Sequence, residues 1–356
     1  MNMNISVTLT KNPKVRPDES KLAFGKNFSD HMFIMDYSKD KGWHDARIVP
    51  YGPLSLEPST NVLHYGQGVF EGLKAYRTKE NKILLFRPSE NAKRMQSSCE
   101  RLCIPQIPED DIVQAIIETV KVDQDWVPRA PGASLYIRPF IISTDPFLGV
   151  HPSATYMFII ILSPSGAYYP TGINPTSIYV EDFYKRASKG GMGHVKTMGN
   201  YAASLIAQEK ALNLNCIQTL WLDAHDSKYI EEVGAMNVFF VIDHKVVTPA
   251  LSGSILPGIT RKSTLEIAKS LGYEVDEKKI SIDDVIEALK ENRMQECFGT
   301  GTAAVISPVG ELIYKDKKYT INNNMIGSVS QKLYDTLTGT QYGRLADKFN
   351  WMVEVE

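Results

Sequence analysis

A break in periodicity at residues 163–177 constrains the fold of this chain more than any other feature. The segment SPSGAYYPTGINPTS contains three prolines and two glycines, and it can sustain neither a helical period nor the alternation of a strand. On both sides of it, β-branched or aromatic runs interleave with segments of helical periodicity. We therefore predict an interdomain linker at 169–177, between a small N-terminal domain at 1–168 and a larger C-terminal domain at 178–356.

Strands and helices are predicted in both halves of the chain. Before the linker, HMFIMDYS, KILLFRP, SLYIRPFIIST and TYMFIIILS have the composition of strands, and Ser89 is a candidate cap for a helix that extends to Leu102. After the linker come the strand SIYVEDF, a hairpin at 219–243, a helix closed by Gly272, and a helix started by a capping box of Ser281 and Asp284. This irregular order predicts a two-domain α+β or mixed α/β fold and not a regular βαβ array.

Composition narrows the classes of partner. The 356 residues carry 39 basic and 41 acidic side chains, and a net charge of −2 gives no electrostatic footprint for nucleic acid or for an anionic membrane. The apolar runs are too short to span a bilayer, and the N-terminal residues lack the apolar core of a signal peptide. Neither the four cysteines nor the seven histidines form a metal-binding motif. We therefore expect a cytoplasmic protein that binds a small molecule, without metal.

Two glycine motifs resemble nucleotide-binding sequences but lack the required context. GTGTAA at 299–304 matches GxGxxA, yet VISPVG follows where a dinucleotide fold needs a helix. GHVKT lacks the contiguous GK[ST] of a P-loop. The first motif is better interpreted as a tight turn that offers N–H groups and the hydroxyl of Thr302.

Lys196 has an unusual setting. The segment SKGGMGHVKTMGNYAASLIAQEKA places it after Gly190, Gly191 and Gly193 and before a predicted helix with an apolar face. A surface position is the default for a lysine, because the ammonium prefers water. Here the flexible turn would point the side chain into a partly dry pocket, where its pKa falls and the amine becomes a nucleophile. A Schiff base with an aldehyde uses such an amine, and pyridoxal phosphate is the commonest carrier.

Residues downstream of Lys196 can supply what pyridoxal phosphate needs. LPGIT opens a helix at Gly258, Ile259 and Thr260, whose N–H groups and hydroxyl suit a phosphate. Glu232 lies in an apolar strand, where a carboxylate needs a cationic partner such as a protonated ring nitrogen. Alternatively, Glu231 and Glu232 form an exposed hairpin pair, of which strand alternation lets only one face inward.

Ordered segments along nearly the whole chain resemble branched-chain amino acid aminotransferases of the fold-type IV pyridoxal-phosphate class. The matching segments are FGKNFSDHMF, LHYGQGVFEGLKAY, LLFRPSENAKRM, LYIRPFIISTDPFLGV, KTMGNY, EEVGAMNVFFV, ILPGITR, FGTGTAAVISPV and DKFNWMVEV. The resemblance implies a homodimer with its active site at the domain interface and pyridoxal 5′-phosphate as cofactor. It also implies reversible, ping-pong amino transfer between leucine, isoleucine or valine and 2-oxoglutarate.

The resemblance also assigns roles to individual residues. Lys196 would be the Schiff-base lysine and the proton-transfer base, Glu232 the partner of the ring nitrogen, and Tyr201 the donor to the phenolate oxygen. The implied cofactor-binding residues are Arg94, Arg186, Lys196, Tyr201, Glu232, Gly258, Ile259, Thr260 and Thr302. The implied substrate-binding residues are Phe28, Tyr65, Phe70, Tyr136, Arg138, Tyr168, Thr302 and Ala303.

Three of these positions carry a more specific expectation. Arg138 would bind the distal carboxylate of glutamate inside a pocket that is otherwise aromatic. Phe28 would close the mouth of the pocket from the N-terminal segment. Arg94 would hold the phosphate, although its position in a helix, taken alone, indicates a solvated residue.

Two departures from the family pattern affect these expectations. Relatives with a redox-sensitive Cys-x-x-Cys have sulfur where this chain has Ala304 and Ser307, so thiol regulation is not expected. Ala235 stands where relatives often have threonine, which removes a hydroxyl near the ring. The alternatives are a D-amino acid aminotransferase or an aminodeoxychorismate lyase of the same fold, and a catalytically silent paralogue that binds a metabolite.

Overall fold

The computed structural model describes residues 3–166 and 173–356. Contacts divide these residues into two compact units. The first comprises 3–166, Val195–Met198 and Thr340–Glu356, and the second comprises 173–194 and Gly199–Gly339. The linker predicted at 169–177 lies partly outside the described residues, so that boundary stays a prediction. Lys196, expected in the C-terminal domain, lies in a short segment that packs with the first unit.

The strands and helices are numbered in chain order. The strands are β1 (Ser6–Val7), β2 (His31–Ser38), β3 (Gly42–Pro50), β4 (Gly68–Phe70), β5 (Leu73–Arg77), β6 (Ile83–Phe86), β7 (Ser134–Ser143), β8 (Thr155–Ser165), β9 (Thr176–Glu181), β10 (Gln218–Leu222), β11 (Ile230–Val233), β12 (Met236–Ile242), β13 (Lys245–Pro249), β14 (Val275–Lys278), β15 (Met294–Gly301), β16 (Val305–Tyr314), β17 (Lys317–Thr320) and β18 (Met352–Glu354). The α-helices are α1 (Asn61–Tyr65), α2 (Pro88–Arg101), α3 (Glu109–Val122), α4 (Met198–Ala202), α5 (Leu205–Asn213), α6 (Ile259–Ser270), α7 (Ile282–Lys290) and α8 (Ser328–Gln341).

The first unit is built on a mostly antiparallel sheet of order β1-β3-β2-β8-β7-β5-β6-β18, with β4 beside β7. Its central strand β8 is buried on both faces. Phe158 and Ile160 point into the main core with helices α2 and α3, while Ile159 belongs to a smaller apolar cluster with Met32 and Ile34. Successive side chains of a strand point to opposite faces of the sheet, and both faces of β8 are covered, so the whole apolar run is buried.

The second unit contains a sheet of order β11-β10-β9-β16-β15-β12-β13-β14, with β17 on β16. An additional antiparallel pairing of β11 with β12 closes part of this sheet into a ring. Helix α7 covers the core with Ile282 and Val285. Its predicted capping box is confirmed: Asp284 N–H donates to Ser281 Oγ over 3.0 Å, and Ser281 N–H donates to Asp284 Oδ2 over 2.9 Å.

The predicted cap at Ser89 is wrong. Helix α2 begins at Pro88, and the cap position is Arg87, whose φ of 50° lies in the left-handed region. Proline suits the first helical position because its missing N–H needs no acceptor there. Ser89 therefore lies inside the first turn of the helix.

The single apolar-faced helix expected after Lys196 is also wrong. The segment forms two short helices, α4 and α5, and the side chains of Leu205 and Leu212 are 64% and 49% exposed. The residues of α5 that are buried, Ala207 and Ala211, are small, which lets the helix lie close to β9 and β10. The packed face of α5 is thus formed by alanines, whereas the spacing of large apolar residues in the sequence indicates the opposite face.

Three of the four cysteines are buried. Cys99, Cys216 and Cys297 are buried, whereas Cys103 is exposed after the end of α2, where its φ is 55°. None of the described helices is both long and apolar enough to traverse a bilayer. Within residues 3–166 and 173–356, no three His, Cys, Asp or Glu side chains cluster as metal ligands would.

Candidate active site

The backbone of Lys196 is held by strand-like contacts. Its carbonyl oxygen accepts a hydrogen bond from Phe70 N–H (3.1 Å), and its own N–H donates to Ser98 Oγ (3.0 Å). The next residue, Thr197, forms an antiparallel bridge with Val69. The expectation of a lysine presented by flexible backbone is therefore wrong, because β4 and α2 fix the residue from two sides.

The glycine before Lys196 has a packing role in the second unit. A Cβ at Gly193 would lie 2.0 Å from the carbonyl oxygen of Ser254, so no larger residue fits there without movement of backbone. Gly190 has a φ of 82°, which other residues rarely adopt. These glycines therefore shape the turn that precedes the lysine.

The amine of Lys196 lies in a partly dry and charged setting. Nζ is 4.9 Å from the centre of the Phe70 ring. Burial, and then the nearby Arg94 guanidinium, lower the pKa of Lys196 to about 8, against the opposing influence of Glu71. The fall in pKa predicted from the sequence is thus confirmed, and it leaves roughly a tenth of the amine deprotonated at pH 7, far more than an ordinary lysine has.

Arg94 is buried and paired with Glu71, a residue that the sequence reasoning missed. Its Nε and Nη2 donate to Oε1 and Oε2 of Glu71, each over 2.8 Å. Arg94 is 9% exposed and Glu71 is 1% exposed, so the interpretation of Arg94 as a solvated helix residue is wrong. A carboxylate inside the apolar run VFEGLKAY was the available signal, since a buried acid needs a partner.

The predicted substrate residues Phe70, Tyr136 and Arg138 lie together in the first unit. The Arg138 guanidinium lies 4.8 Å from the centre of the Phe70 ring, and its Nη2 donates to the hydroxyl of Tyr136 over 2.9 Å. Its Nε is buried and has no hydrogen-bond partner among the described residues. Aromatic walls and a cation with an unused donor are what a pocket for both aliphatic and acidic side chains requires.

The other predicted substrate residues of the first unit are more scattered. Phe28 stacks on Tyr51 with ring centres 5.2 Å apart, and Tyr65 is 43% exposed at the end of α1. Phe24, which was not predicted, contacts the ring of Tyr136 edge-on at 4.8 Å. Tyr168 lies outside the described residues.

Lys74 is a second buried lysine that the sequence reasoning did not single out. It lies opposite Tyr136 in the register of β5 and β7, and so on the same face of the sheet. Burial lowers its pKa to about 8. Lys74 therefore adds a buried basic group on the face of the sheet that carries Tyr136.

Glu232 belongs to a polar cluster in the second unit. Its Oε1 accepts a hydrogen bond from Leu256 N–H (2.7 Å) and lies 3.3 Å from Nη2 of Arg186. Across the β11–β12 hairpin it pairs with Asn237, whose side chain donates to the carbonyl oxygen of Leu256. Two sequence-predicted residues, Arg186 and Glu232, are thus brought into contact.

Glu231 is buried as well, so the alternative of an exposed hairpin pair is wrong. Strand β11 is paired with β10 and β12, and both glutamates are at most 5% exposed. Ser254 Oγ donates to Oε1 of Glu231, while Oε2 has no partner among the described residues. Burial raises the pKa of Glu231 despite this hydrogen bond and the nearby Arg186. The two acids thus have separate partners.

The amino end of α6 holds three predicted phosphate residues, Gly258, Ile259 and Thr260. Gly258 is the cap residue, and a Cβ there would lie 2.0 Å from Oδ1 of Asn237. The first N–H groups of a helix have no acceptor within it, so this end can bind an anion. Because Asn237 pairs with Glu232 across the hairpin, the same cluster connects the helix end with the carboxylate.

Thr302 and Ala303 lie in the turn between β15 and β16, and Gly301 pairs with Val305 across this turn. A strand and not a helix follows GTGTAA, which confirms the rejection of a dinucleotide site. Val305 has a φ of 64°, an outlier for a β-branched residue, so the turn is strained at its end.

Tyr201 lies in α4 and is partly buried. Its carbonyl oxygen accepts hydrogen bonds from the N–H (3.1 Å) and Oγ (2.7 Å) of Ser204. These contacts fix the end of α4 and therefore the backbone that carries the phenol.

Comparisons with known proteins identify relatives of the chain. A family model described as amino-transferase class IV matches residues 68–312. The branched-chain-amino-acid aminotransferase 2 of Bacillus subtilis is 56% identical over 351 residues, which cover 99% of this chain and 97% of the relative. The structure of the branched-chain amino acid aminotransferase from Escherichia coli matches with a TM-score of 0.73 at 27% identity, over 92% of this chain and 99% of that one. The T.th. branched-chain amino acid aminotransferase with pyridoxamine 5′-phosphate matches with a TM-score of 0.76 at 27% identity, over 91% and 98%.

Proposed function

The chain belongs to the amino-transferase class IV family, and we propose how it transfers an amino group between L-leucine, L-isoleucine or L-valine and 2-oxoglutarate. It is a branched-chain transaminase that depends on pyridoxal 5′-phosphate, and its relatives do not favour the lyase, D-amino acid or silent alternatives. The observation that carries the proposal is the Lys196 amine, whose pKa is lowered to about 8 beside Phe70 and Arg94.

The donor set of the chain fits this cofactor. Lys196 offers an amine that is reactive near neutral pH, and Glu232 offers a buried carboxylate beside Arg186 for the ring nitrogen. The amino end of α6, where a Cβ at position 258 would displace the Asn237 side chain, offers N–H groups to the phosphate, and we assign Arg94 to the same phosphate. When bound, the cofactor supplies an electron sink for the electrons released at Cα of the amino acid.

Lys196 acts as base and then as acid. A pKa near 8 lets its amine take the proton from Cα of the amino acid as a base and then, as an acid, donate it to the carbon that carried the cofactor's aldehyde. Phe70 N–H and Ser98 Oγ hold the lysine backbone on two sides, so the amine stays near its target during the transfer. Because the lysine is already held in place, less conformational entropy is lost when the transition state of the proton transfer forms.

We propose that Phe70, Tyr136 and Arg138 together account for dual specificity. Phe70 and Tyr136 provide apolar surface for the side chain of leucine, isoleucine or valine. We assign the distal carboxylate of glutamate and 2-oxoglutarate to Arg138, whose Nε has no partner among the described residues. We assign the α-carboxylate, which all substrates share, to the N–H groups of Thr302 and Ala303.

A two-substrate assay tests the proposed function. Purified protein with added pyridoxal 5′-phosphate is incubated with L-leucine and 2-oxoglutarate, and the branched 2-oxo acid and glutamate are quantified together. We expect equal amounts of both products, and no turnover with D-leucine or D-alanine. Activity confined to the D-amino acids, or none with any amino donor, would overturn the assignment.

We also propose that the protein is a homodimer. The loop after β7 exposes Phe147, Leu148 and Val150 by 53%, 65% and 88%, and Leu63 of α1 is 60% exposed. Asn61 N–H donates to the Asp145 carbonyl oxygen over 2.8 Å, so this loop and α1 are adjacent. Exposed apolar side chains on two adjacent segments suit contact with a second copy of the chain. Sedimentation of wild type and Val150→Asp should show a dimer that the variant weakens, and a monomeric wild type would contradict it.

A cytoplasmic location is proposed from the cysteines. All four, Cys99, Cys103, Cys216 and Cys297, are free thiols, which suits a reducing compartment. Cell fractionation with a compartment marker tests it, and recovery of the protein outside the cytoplasm would contradict it.

A further inference from the structure

We propose that Glu71 is a positioning residue of this site, which fixes the guanidinium of Arg94 and sets the charge around the amine of Lys196. The inference rests on the proposed roles of Arg94 and Lys196. It adds a residue to which neither the sequence nor the comparisons gave a role.

The contacts of Glu71 hold Arg94 in one orientation. The two parallel hydrogen bonds from Nε and Nη2, both 2.8 Å long, form a bidentate pair that fixes the plane of the guanidinium. Asn91 Nδ2 donates to Oε2 over 2.7 Å, and Gly72 N–H lies 3.3 Å from the same oxygen. Both carboxylate oxygens are thus bound, and Glu71 has little freedom to turn.

The pair also connects the two elements that hold Lys196. Glu71 follows Phe70, whose N–H donates to the Lys196 carbonyl oxygen, and its own N–H donates to the Pro139 carbonyl oxygen over 2.7 Å. Arg94 lies one turn before Ser98 on α2, and Ser98 accepts the N–H of Lys196. The Glu71–Arg94 pair therefore ties together both hydrogen-bond partners of the lysine backbone.

Charge gives Glu71 a second effect on the lysine. Arg94 lowers the pKa of Lys196, and Glu71 raises it. A carboxylate that pairs with Arg94 thus weakens the repulsion between the guanidinium and the ammonium. Removal of the Glu71 charge alone would leave Arg94 to act on Lys196 without opposition.

Two substitutions separate these effects from a role in stability alone. Glu71→Gln removes the charge and keeps a side chain of the same size. Glu71→Asp keeps the charge, but it is one methylene too short for the bidentate contact. Asp36→Asn is the control, because Asp36 also pairs with an arginine of the first unit, Arg47, at 2.6 Å, away from these residues.

The first measurement is the titration of Lys196 in cofactor-free protein, by labelling with acetic anhydride at a series of pH values and mass spectrometry of the peptide. For Glu71→Gln we expect the labelling midpoint of Lys196 to fall by about one pH unit. Glu71→Asp and Asp36→Asn should keep the wild-type midpoint. An unchanged midpoint in folded Glu71→Gln would overturn the electrostatic role.

The second measurement is the affinity for pyridoxal 5′-phosphate, from quenching of protein fluorescence. Glu71→Asp should bind the cofactor about 10-fold or more weakly, since a charged hydrogen bond to the phosphate loses its direction. Wild-type affinity in Glu71→Asp would overturn the positioning role. If circular dichroism shows that Glu71→Gln is unfolded, the affinity of Glu71→Asp for the cofactor is the measurement that tests the proposal. If the proposed function itself were wrong, Lys196→Ala would still turn over leucine. Neither of the two measurements on Glu71 depends on that variant, so the two failures can be told apart.

Discussion

Nη2 of Arg186 lies 3.3 Å from Oε1 of Glu232 and also donates to the carbonyl oxygen of Ser254. Arg186 and Glu232 are 9% and 3% exposed, so each charge offsets much of the desolvation cost of the other. The adjacent Glu231 bonds to Ser254 Oγ instead. Two neighbouring acids in one short strand thus have different electrostatic settings, which separates their expected roles.

Replacement of each acid by its amide tests this separation. Glu232→Gln should lower turnover of leucine with 2-oxoglutarate at least about 100-fold, because a neutral amide cannot stabilise a protonated ring nitrogen. Glu231→Gln should keep most of the activity, since the side chain of Glu231 bonds to Ser254 Oγ and an amide oxygen can accept the same hydrogen bond. Cofactor absorbance should show both variants loaded. If Glu231→Gln lost activity and Glu232→Gln kept it, Glu231 and not Glu232 would be the partner of the ring nitrogen.

Arg138→Met should separate the two half-reactions. A charge-assisted contact to the distal carboxylate contributes roughly 2 to 4 kcal/mol, so the half-reaction with 2-oxoglutarate should weaken about 30- to 1000-fold. The leucine half-reaction should change much less. Single-turnover changes in cofactor absorbance measure each half separately, with Arg47→Met as an arginine control. Equal losses in both halves would show that Arg138 has a structural role or binds the shared α-carboxylate.

Lys74 should make stability depend on pH. Its pKa falls from 10.5 in the unfolded chain to about 8 in the folded protein. Below pH 8 both states carry the charge, and burial of the charge destabilises the fold. Between pH 8 and 10.5 the unfolded state binds more protons, so stability rises with pH.

Urea unfolding of cofactor-free Lys74→Met tests this dependence. The variant should exceed wild type by about 1–3 kcal/mol at pH 7, and the difference should shrink by pH 10. Exposed Lys79→Met should show no such trend. A difference between Lys74→Met and wild type that is constant across this range would contradict the linkage.

Glu296 should stabilise the second unit by capping a helix. Its two oxygens accept the N–H groups of Val329 and Ser330, each over 2.8 Å, in the first turn of α8. Glu296→Ala leaves these buried donors without acceptors and should cost about 2–4 kcal/mol. Gly327→Ala should also destabilise, because a Cβ there would lie 1.8 Å from Cδ of Glu296. Urea midpoints close to wild type in both variants would exclude this role.

Local signals allowed prediction where a few neighbouring residues decide the outcome. The capping box of Ser281 and Asp284 satisfies its own hydrogen bonds within four residues, so the sequence identifies it directly. The hairpin turn at Thr302 follows from the β-branched residues after it. The Ser89 cap was wrong because Pro88 competes for the first helical position.

Distant partners were not predictable in the same way. Glu71 and Arg94 are 23 positions apart, and Glu296 caps a helix more than 30 positions later. Nothing local in either segment indicates these contacts, since they depend on the path of the sheet. The sequence does indicate that a buried carboxylate such as Glu71 needs a partner, but it does not specify which one.

Turnover of Lys196→Ala tests the central claim most directly. The variant should fold, bind pyridoxal 5′-phosphate through the phosphate contacts, and transfer amino groups from leucine to 2-oxoglutarate at least about 1000-fold more slowly than wild type. Lys79→Met, at an exposed lysine away from the site, should retain turnover. A Lys196→Ala protein with near wild-type rates would contradict the assignment of Lys196 as the reactive amine.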